Sequence, residues 1–470
     1  MGWAALSLKN SITRDFLSQS KQRKIHILCG PGNNGGDGFA LGWLLLTDTA
    51  LTSEHQIQIY LDKEPLTADA KYFYQLLLKK FPETILPLDK FISLKLPKRD
   101  LIIDALFGNG QNRRLTGIYE AAIIAANRAK SNRIAIDLCS GLIADARPDS
   151  GAIFQAAFTY TFGARKIAHL LPPGLDHSGK IEVLSIGFVP QTDFEYSYVK
   201  KASLPKLRKP NSHKYTSGTL LFFGADDSFE GAGVLAARAF LAMGAGMAKL
   251  YTTSSRMNRF IKAIPEARVL PVNDFDFTKA AMSFHPEKPE VIVFGPGIID
   301  STLARENLTF LWQNWPGKMV VDGTGLRILA EIKDRIQANA SAGERILSPH
   351  HGEAKALLGQ DFDDLLHAVR EISQRYNAIA YIKGPGGLLA APGEKTVFFG
   401  SSDYQLAVAG TGDVLSGVLA AGVLRNLPVY EAVQKSISVY LNAARYLSRH
   451  SKSKDSLTPS QLIESLYASR

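Results

Sequence analysis

Short apolar runs alternate with helical stretches through both halves of this 470-residue chain, and this alternation constrains the fold more than any other feature. Strands that alternate with helices pair in parallel and build doubly wound α/β sheets. In such sheets the ligand lies at the carboxyl ends of the strands. The predicted strands of the first half are 24–29, 56–61, 101–105, 133–138, 158–162 and 180–186, and its predicted helices are 68–80 and 118–130.

The second half repeats this pattern with longer elements. Its predicted strands are 218–223, 248–252, 291–294, 319–322, 345–347, 378–383, 387–391 and 396–399. Its predicted helices are 232–243, 303–312, 353–358, 364–376, 413–424 and 429–447. Residues 188–214 carry three prolines, dense charge and few apolar positions, which predicts a linker. We therefore expect two α/β domains, 1–198 and 199–470, the first of them a Rossmann-like doubly wound sheet.

The composition is that of an ordinary globular protein, with 46% hydrophobic and 21% charged residues. No apolar run is long enough to span a bilayer, and the first residues lack a signal-peptide pattern. Two cysteines cannot build a disulfide framework, so we expect a cytoplasmic protein with no membrane partner. The net charge of +10 is dispersed, which argues against nucleic acid and suits an enzyme of anionic small molecules.

The segment 409–417, AGTGDVLSG, places glycines at the start of a helix of small apolar residues. Backbone N–H groups at such a junction bind anions, and the helix dipole adds to the attraction. Asp413 lies in the first predicted turn, where a carboxylate can take a proton from a hydroxyl beside a held phosphate. The alternative interpretation is a Gly-rich turn whose carboxylate only satisfies the dipole.

Three strand ends of the first half carry polar residues. The segment 30–38, GPGNNGGDG, follows the first strand, and its backbone can approach a phosphate closely; a turn rich in Asn and Asp is the alternative. Asp104 and Asp137 end two buried strands, where they either face the ligand crevice or cap loops. Asn34, Asp104 and Ser140 offer hard oxygen ligands for a cation, and Asp137 offers an acid–base group.

The motifs GNNGGDG, IDALFGNG and IDLCSG together resemble the NAD(P)HX epimerase family, whose members invert the hydrated carbon of damaged nicotinamide cofactors and use a potassium ion. The resemblance implies that Asn34, Asp104 and Ser140 hold K⁺ and that Asp137 is catalytic. It also implies that the hydrated cofactor contacts Asn33, Asn34, Gly35, Gly36, Asp37, Gly108, Asn109, Gly110, Gln111, Asn112, Arg113, Arg114 and Asp137. Family members carry further helices ahead of a segment inside which this chain begins, so the resemblance predicts a shortened first domain.

Gly-rich strand ends recur in the second half, as FGPG at 294–297, SPHHGE at 348–353 and KGPGG at 383–387. A lysine beside glycines suits a phosphate as a point charge. His350 or His351 can donate to a substrate, although a lone histidine is more often structural. Four such strand ends in one domain, AGTGDVLSG included, are hard to explain as ordinary turns.

In this order, and with SHKYTSGTLLFFGADDSFEGAG before them, these motifs resemble the ADP/ATP-dependent NAD(P)HX dehydratase family of ribokinase-like fold over nearly all of 209–470. The resemblance implies that the nucleotide is held by Lys383, Gly384, Pro385, Gly386, Gly387 and Gly412. It implies that the hydrated nicotinamide contacts Ala232, Gly297, His350 and Asp413. The family's Asp-Ala-Asp-Ala-Leu motif is DGTGL here, so Thr324 stands at its second Asp and altered Mg²⁺ affinity is expected.

The resemblances imply a bifunctional repair enzyme. The first domain is expected to epimerise R- and S-NADHX and NADPHX, and the second to dehydrate the S form with ADP, or ATP, as co-substrate. Mg²⁺ and K⁺ are the implied ions, and we expect a closed homo-oligomer. Two alternatives stay open: a kinase of a vitamin or sugar-like alcohol beside an inactive scaffold, and a nucleotide-binding protein without turnover.

Overall fold

Two α/β units make up the chain, Met1–Asp193 and Phe194–Arg470. The computed structural model describes residues 1–18, 23–144, 151–187, 195–199, 201–208, 210–226, 229–285, 288–336, 343–400, 404–450 and 457–468. The strand Tyr196–Tyr198 pairs in the sheet of the second unit, whereas the predicted boundary after residue 198 assigns it to the first. The predicted linker 188–214 is therefore wrong in part, because it contributes this strand; its residues 188–194, 200 and 209 lie outside the described ones.

The first unit is a seven-stranded parallel sheet in the order β3-β2-β1-β4-β5-β6-β7. Its strands are β1 Lys24–Cys29, β2 Gln56–Leu61, β3 Ile85–Pro87, β4 Leu101–Ala105, β5 Asn132–Ile136, β6 Phe158–Phe162 and β7 Lys180–Leu184. Its α-helices are α1 Gly2–Ile12, α2 Asn33–Leu46, α3 Thr49–Glu54, α4 Ala68–Lys80, α5 Leu88–Ile92, α6 Ile118–Arg128 and α7 Gly174–His177. The strand order reverses between β1 and β4, so a crevice is expected where these two strands end.

Alternate residues of the strands enter two separate apolar clusters, one on each face of the sheet. In β1, Ile25 and Ile27 pack in the cluster that contains Phe39 of α2. Leu28 packs in the other cluster, with Ile123 of α6. A parallel sheet covered on both faces explains why the strands read as continuous apolar runs.

The second unit is a ten-stranded sheet in the order β11-β10-β9-β12-β13-β14-β15-β16-β17-β8. Its strands are β8 Tyr196–Tyr198, β9 Thr219–Phe223, β10 Met247–Thr252, β11 Arg268–Pro271, β12 Glu290–Phe294, β13 Lys318–Val321, β14 Arg345–Leu347, β15 Ile379–Ile382, β16 Leu388–Ala390 and β17 Thr396–Phe398. Only β16 runs antiparallel to its two neighbours; every other pair is parallel. Its α-helices are α8 Glu230–Ala242, α9 Met257–Ala263, α10 Phe277–Met282, α11 Thr302–Asn314, α12 Thr324–Glu331, α13 His351–Leu358, α14 Leu365–Tyr376, α15 Thr411–Gly422, α16 Val429–His450 and α17 Pro459–Ala468.

The fold class predicted from the alternation is confirmed, since both units are layered α/β sheets. The predicted strand 133–138 ends earlier, at Ile136, because Asp137 takes up a left-handed backbone conformation with φ of 64° and breaks the extended run. Several short elements carry too little periodicity to be predicted, among them β3 and β11. Among the described residues, none of the helices combines the length and the apolar character needed to cross a membrane.

Candidate active sites

The Gly-rich segment of the first unit is a short turn followed directly by α2. A Cβ atom on Gly30 would lie 1.8 Å from the carbonyl oxygen of Leu106, and one on Gly35 would lie 1.8 Å from that of Gly30. These two glycines therefore let three backbone segments meet at the end of β4, at distances that no side chain permits. The result places residues 33–37 at the start of α2, beside the crevice.

Asp104 and Ser140 meet at this crevice, as the predicted cation site requires. The Ser140 hydroxyl donates to Asp104 Oδ1 at 2.7 Å, and the Ser140 backbone N–H donates to Oδ2 at 2.8 Å. Both side chains are fully buried. Asn34 lies close by, since its Oδ1 is 3.0 Å from the position of a Cβ on Gly108, and its buried Nδ2 has no hydrogen-bond partner among the described residues.

The electrostatics of this cluster suit a monovalent cation. Burial raises the pKa of Asp104 to about 6, although hydrogen bonds from Ser140 and Leu106 lower it in part. Within the described residues no group of three or more His, Cys, Asp and Glu side chains could hold a metal ion, so a cation here would rest on single carboxylate, hydroxyl and amide oxygens. K⁺ binding by these residues remains a prediction that their oxygen chemistry supports.

Asp137 lies directly after β5 and is held by three donors. The Lys166 ammonium forms an ion pair with Asp137 Oδ1, and the Thr161 hydroxyl and the Phe162 N–H donate to the same oxygen at 3.0 and 3.2 Å. Lys166 was not among the predicted site residues, because a lone lysine after β6 carries no motif. The structure thus pairs the predicted acid–base group with a cation contributed by the next strand's loop.

Asp37, near the start of α2, is electrostatically coupled to Asp137. Burial raises the pKa of Asp37 to about 7; the positive amino terminus lowers it, while the charges of Asp137 and Asp69 raise it further. Asp37 and Asp137, which the sequence analysis placed in one substrate site, therefore lie near enough for one charge to influence the other.

The loop 108–114 is predicted to contact substrate. Some of its residues bind neighbouring segments of the protein, and others are exposed. Gln111 is buried: its Oε1 accepts the Gly141 N–H at 3.0 Å and its Nε2 donates to the Arg113 carbonyl at 3.2 Å. Arg114 forms an ion pair with Glu120 at 3.1 Å. Gly108 is buried, and the remaining members are exposed: Asn109, Gly110, Asn112 and Arg113. Gln111 thus ties this loop to the one that carries Ser140, and substrate contact by the loop stays a prediction.

In the second unit a buried ion pair forms the centre of the candidate site. Asp322, directly after β13, accepts the Lys383 ammonium at 2.6 Å through Oδ1 and the Ser416 hydroxyl at 2.7 Å through Oδ2. Its Oδ1 also accepts the Gly323 N–H at 2.8 Å. Burial lowers the pKa of Lys383, but the charges of Asp322 and Glu353 outweigh this effect and raise it. Lys383 is therefore a firmly charged cation.

Asp413 lies in the first turn of α15, as predicted. The helix follows Gly410, whose φ of 93° is a left-handed conformation that favours glycine. Burial raises the pKa of Asp413 to about 6; Asp322 raises it further and Lys383 lowers it. A carboxylate with this pKa is mostly ionised at neutral pH yet basic enough to accept a proton.

Two cavities meet at Lys383, Gly410 and Gly412. The first, about 350 Å³, is polar and lies at the carboxyl ends of the strands; it is lined by Phe229, Pro296, Gly297, Asp322, Gly323, Thr324, Arg327, Glu353, Lys383, Gly410, Gly412 and Asp413. The second, about 480 Å³, is largely apolar and includes His350, Gly384, Pro385, Leu406, Val408 and Tyr440 in its lining. A polar cavity with mixed charge beside an apolar one suits a ligand with phosphates and a flat ring.

His350 is the N-cap of α13, a structural role that the sequence did not assign. Its Nδ1 accepts the N–H groups of Gly352 and Glu353 at 3.0 and 3.3 Å, which leaves the proton on Nε2 when the ring is neutral. Burial and then Lys383 lower the pKa of His350. The cap uses only Nδ1, so the Nε2–H group, which lies 3.4 Å from Glu353 Oε1, can still donate to a substrate. His351 instead packs against Phe362.

Three predicted contacts of this unit do not line the described cavities. Ala232 is buried in α8, and neither Gly386 nor Gly387 borders the described walls. A Cβ on Gly387 would lie 2.7 Å from the Tyr381 hydroxyl, so this glycine serves packing within the sheet. Arg327 and Glu353 do line the polar cavity and were not predicted as site residues, because their position depends on how α12 and α13 begin.

The chain thus consists of two α/β units, each with a candidate site, and a known family model matches each unit. A family model described as NAD(P)H-hydrate dehydratase matches residues 220–467, and one described as YjeF-related protein N-terminus matches residues 1–168. The first match spans more than half of the chain. The chain belongs to the NAD(P)H-hydrate dehydratase family.

Curated relatives match across both units. The bifunctional NAD(P)H-hydrate repair enzyme Nnr of Escherichia coli is 28% identical over 86% of this chain and 77% of its own length. The enzyme of the same name from Moorella thermoacetica is 28% identical over 94% of this chain and 86% of its length. Among solved structures, an ADP/ATP-dependent NAD(P)H-hydrate dehydratase from Bacillus subtilis, co-crystallised with ATP/Mg²⁺, covers 57% of this chain and 93% of its own at 21% identity, with a TM-score of 0.49.

Proposed function

We propose that this chain repairs hydrated NADH and NADPH. Its first unit interconverts the R and S hydrates, and its second unit dehydrates the S hydrate at the expense of ADP. The observation that carries the proposal is the pairing of two sites, each with a carboxylate at a strand end beside a Gly-rich helix start, in a chain matched by both family models. A kinase of an unrelated alcohol has no use for the first site.

In the second unit, Asp413 is the proposed base. It takes the proton from the hydroxyl of the hydrated ring, whose oxygen attacks the terminal phosphorus of the nucleotide and displaces AMP from ADP. The ring nitrogen then expels phosphate, and loss of a ring proton restores the dihydropyridine. Phosphate is a far better leaving group than hydroxide, which is why the dehydration needs a nucleotide.

The residues around Asp413 have separate proposed roles in binding the nucleotide and its metal ion. Lys383 offers a fixed positive charge to the phosphates, and Asp322 holds it in place. Gly410 and Gly412 let the backbone approach the transferring group. Mg²⁺, when bound, would neutralise charge on the phosphates, and Asp322, Glu353 and Asp413 are the carboxylates that border its site. Thr324 lines the same cavity with a hydroxyl, which fits an ion that arrives mainly with its phosphates.

In the first unit, Asp137 is the proposed acid–base group. Inversion requires that the ring C–O bond break and that water add to the opposite face. The Asp137 carboxylate takes a proton from the adding water, and the departing hydroxide takes its proton from solvent, so that Asp137 acts as the general base. Asn34, Asp104 and Ser140 would hold K⁺ when it is bound, and residues 33–37 would contact the substrate. We further propose ADP as the donor, a cytoplasmic location and a homo-oligomer.

Chemically hydrated NADPH tests both halves with the full chain. With ADP and Mg²⁺, recovery of absorbance at the reduced-nicotinamide band from the S hydrate is expected, together with stoichiometric AMP and phosphate. Chromatography of the pure R hydrate without nucleotide is expected to show conversion to S. A lasting phosphate ester would instead identify a kinase, and tight binding without turnover would refute both enzymatic roles. ATP in place of ADP decides the donor.

A further inference from the structure

One side chain that no motif marks stands in direct contact with the proposed acid–base group of the first site. Lys166 is only partly exposed, and its ammonium contacts Asp137 Oδ1, the Thr161 hydroxyl at 2.8 Å and the Phe162 carbonyl at 3.2 Å. Thr161 donates its own hydrogen to Asp137 Oδ1. The lysine therefore sits in a fixed position with three oxygen partners, rather than as a mobile surface charge.

The hydrogen bonds on Asp137 are unequally shared between its two oxygens. Lys166, Thr161 and the Phe162 N–H all donate to Oδ1. Oδ2 receives no hydrogen bond from any residue that the structure describes. The backbone of Asp137 is held in its left-handed conformation by an N–H bond to the Tyr160 carbonyl at 2.8 Å. Such strain in a non-glycine residue persists where surrounding contacts fix it, commonly at a functional site.

The lysine is itself anchored from the other side. Its backbone N–H donates to His169 Nδ1 at 3.1 Å, and His169 is fully buried. Burial and the charge of Lys166 lower the pKa of His169 to about 4, so this ring is a neutral acceptor near pH 7. The titratable groups that face Asp137 are thus Lys166, His169 and, through its charge, Asp37.

We propose that Lys166 is the positioning residue of the first site: it fixes Oδ1 of Asp137, so that Oδ2 is free to take the proton from the adding water. The inference rests on the epimerase function proposed above. It assigns the lysine no contact with substrate. It requires that the ammonium act through the carboxylate, because a cation next to a carboxylate favours the charged form.

The test is the pH profile of R-to-S conversion, measured by chromatography of NADPHX with the full chain. Lys166→Met is expected to move the acid limb of the profile to higher pH by about one unit or more. The loss of rate is then about tenfold or more on that limb and much smaller at high pH. Lys166→Arg keeps the charge, so its limb is expected to stay in place while the rate falls.

Thr161→Val is the matched control, since it removes a neutral donor from the same oxygen. It is expected to lower the rate and to move the limb less than Lys166→Met does, because a neutral donor favours the charged carboxylate less than an adjacent cation does. Dehydration of S-NADPHX by the same preparations and their thermal unfolding report whether the protein is intact. If Lys166→Met does not fold, Lys166→Gln takes its place, and the same movement of the limb is expected.

Two results overturn the proposal: an unmoved limb in Lys166→Met, or a limb that moves equally in Lys166→Met and Lys166→Arg. A wild-type chain that shows no R-to-S conversion at any pH refutes the epimerase function itself. This outcome is distinct from the two results on the Lys166 variants.

Discussion

The two proposed acid–base carboxylates, Asp137 and Asp413, are set in opposite electrostatic arrangements. In the first unit the lysine touches the acid–base group itself, because Lys166 pairs with Asp137. In the second unit Lys383 pairs with the neighbour Asp322, and Asp413 keeps a raised pKa. The comparison shows that a partly exposed lysine can pair with the proposed proton acceptor itself, or with a neighbouring aspartate while the proton acceptor keeps a raised pKa.

The largest effect is expected from removing each carboxylate in turn. Asp413→Asn should reduce dehydration by about 100-fold or more, since an amide cannot accept the proton, and should leave R-to-S conversion intact. Asp137→Asn should do the reverse. Absorbance recovery and chromatography on the same preparations measure the two activities. Loss of both activities from one substitution would show that the two carboxylates do not serve separate reactions.

A second substitution tests the ion pair of Asp322 and Lys383 separately from the proposed base, Asp413. Asp322→Asn leaves the Lys383 charge without its buried partner, and breaking such a pair costs about 3 kcal/mol of unfolding free energy. The same change removes the negative charge that raises the pKa of Asp413, so the acid limb of dehydration should move to lower pH. Denaturant unfolding and a pH–rate profile measure these effects. Ser416→Ala is the control, because it removes a neutral donor to Asp322 and should leave the limb in place.

The wild-type dehydratase should lose activity as the pH falls through about 6. The pKa of Asp413 is raised to about 6, so the basic form that accepts a proton is present above this pH and is lost below it. The rate of dehydration at low substrate is expected to fall about tenfold per pH unit on the acid side. A limb near the ordinary aspartate value of about 4 would indicate another base or a site reorganised by the nucleotide.

Much of both sites was predictable because their residues lie at strand ends. The apolar run of β4 locates Asp104, and parallel pairing then brings that residue to the same edge as Ser140. Asp413 was placed in the first turn of α15 by local glycines alone. Each of these inferences needs only the sequence near the residue and the rule that parallel strands end on one side.

The residues that were missed depend on contacts between distant segments. Lys166 reaches Asp137 only because β6 lies beside β5, and no local pattern separates it from a surface lysine. Strand β8 is three residues long and pairs with β17, about two hundred residues later, so its region was taken for a linker. Gly387 lines neither described cavity, so the nucleotide contact that the resemblance implies for it stays a prediction.

The smallest expected effect concerns the cation, and it separates the two units again. K⁺ at ten times its dissociation constant should stabilise the first unit by about 1.4 kcal/mol, because the ion binds only the folded cluster of Asn34, Asp104 and Ser140. The pKa of Asp104 is raised to about 6, so the proton competes with the ion and the gain should be larger at pH 8 than below pH 6. Thermal unfolding in potassium against tetramethylammonium chloride measures it. Asp104→Asn should abolish the difference, and an equal gain in this variant would place K⁺ elsewhere.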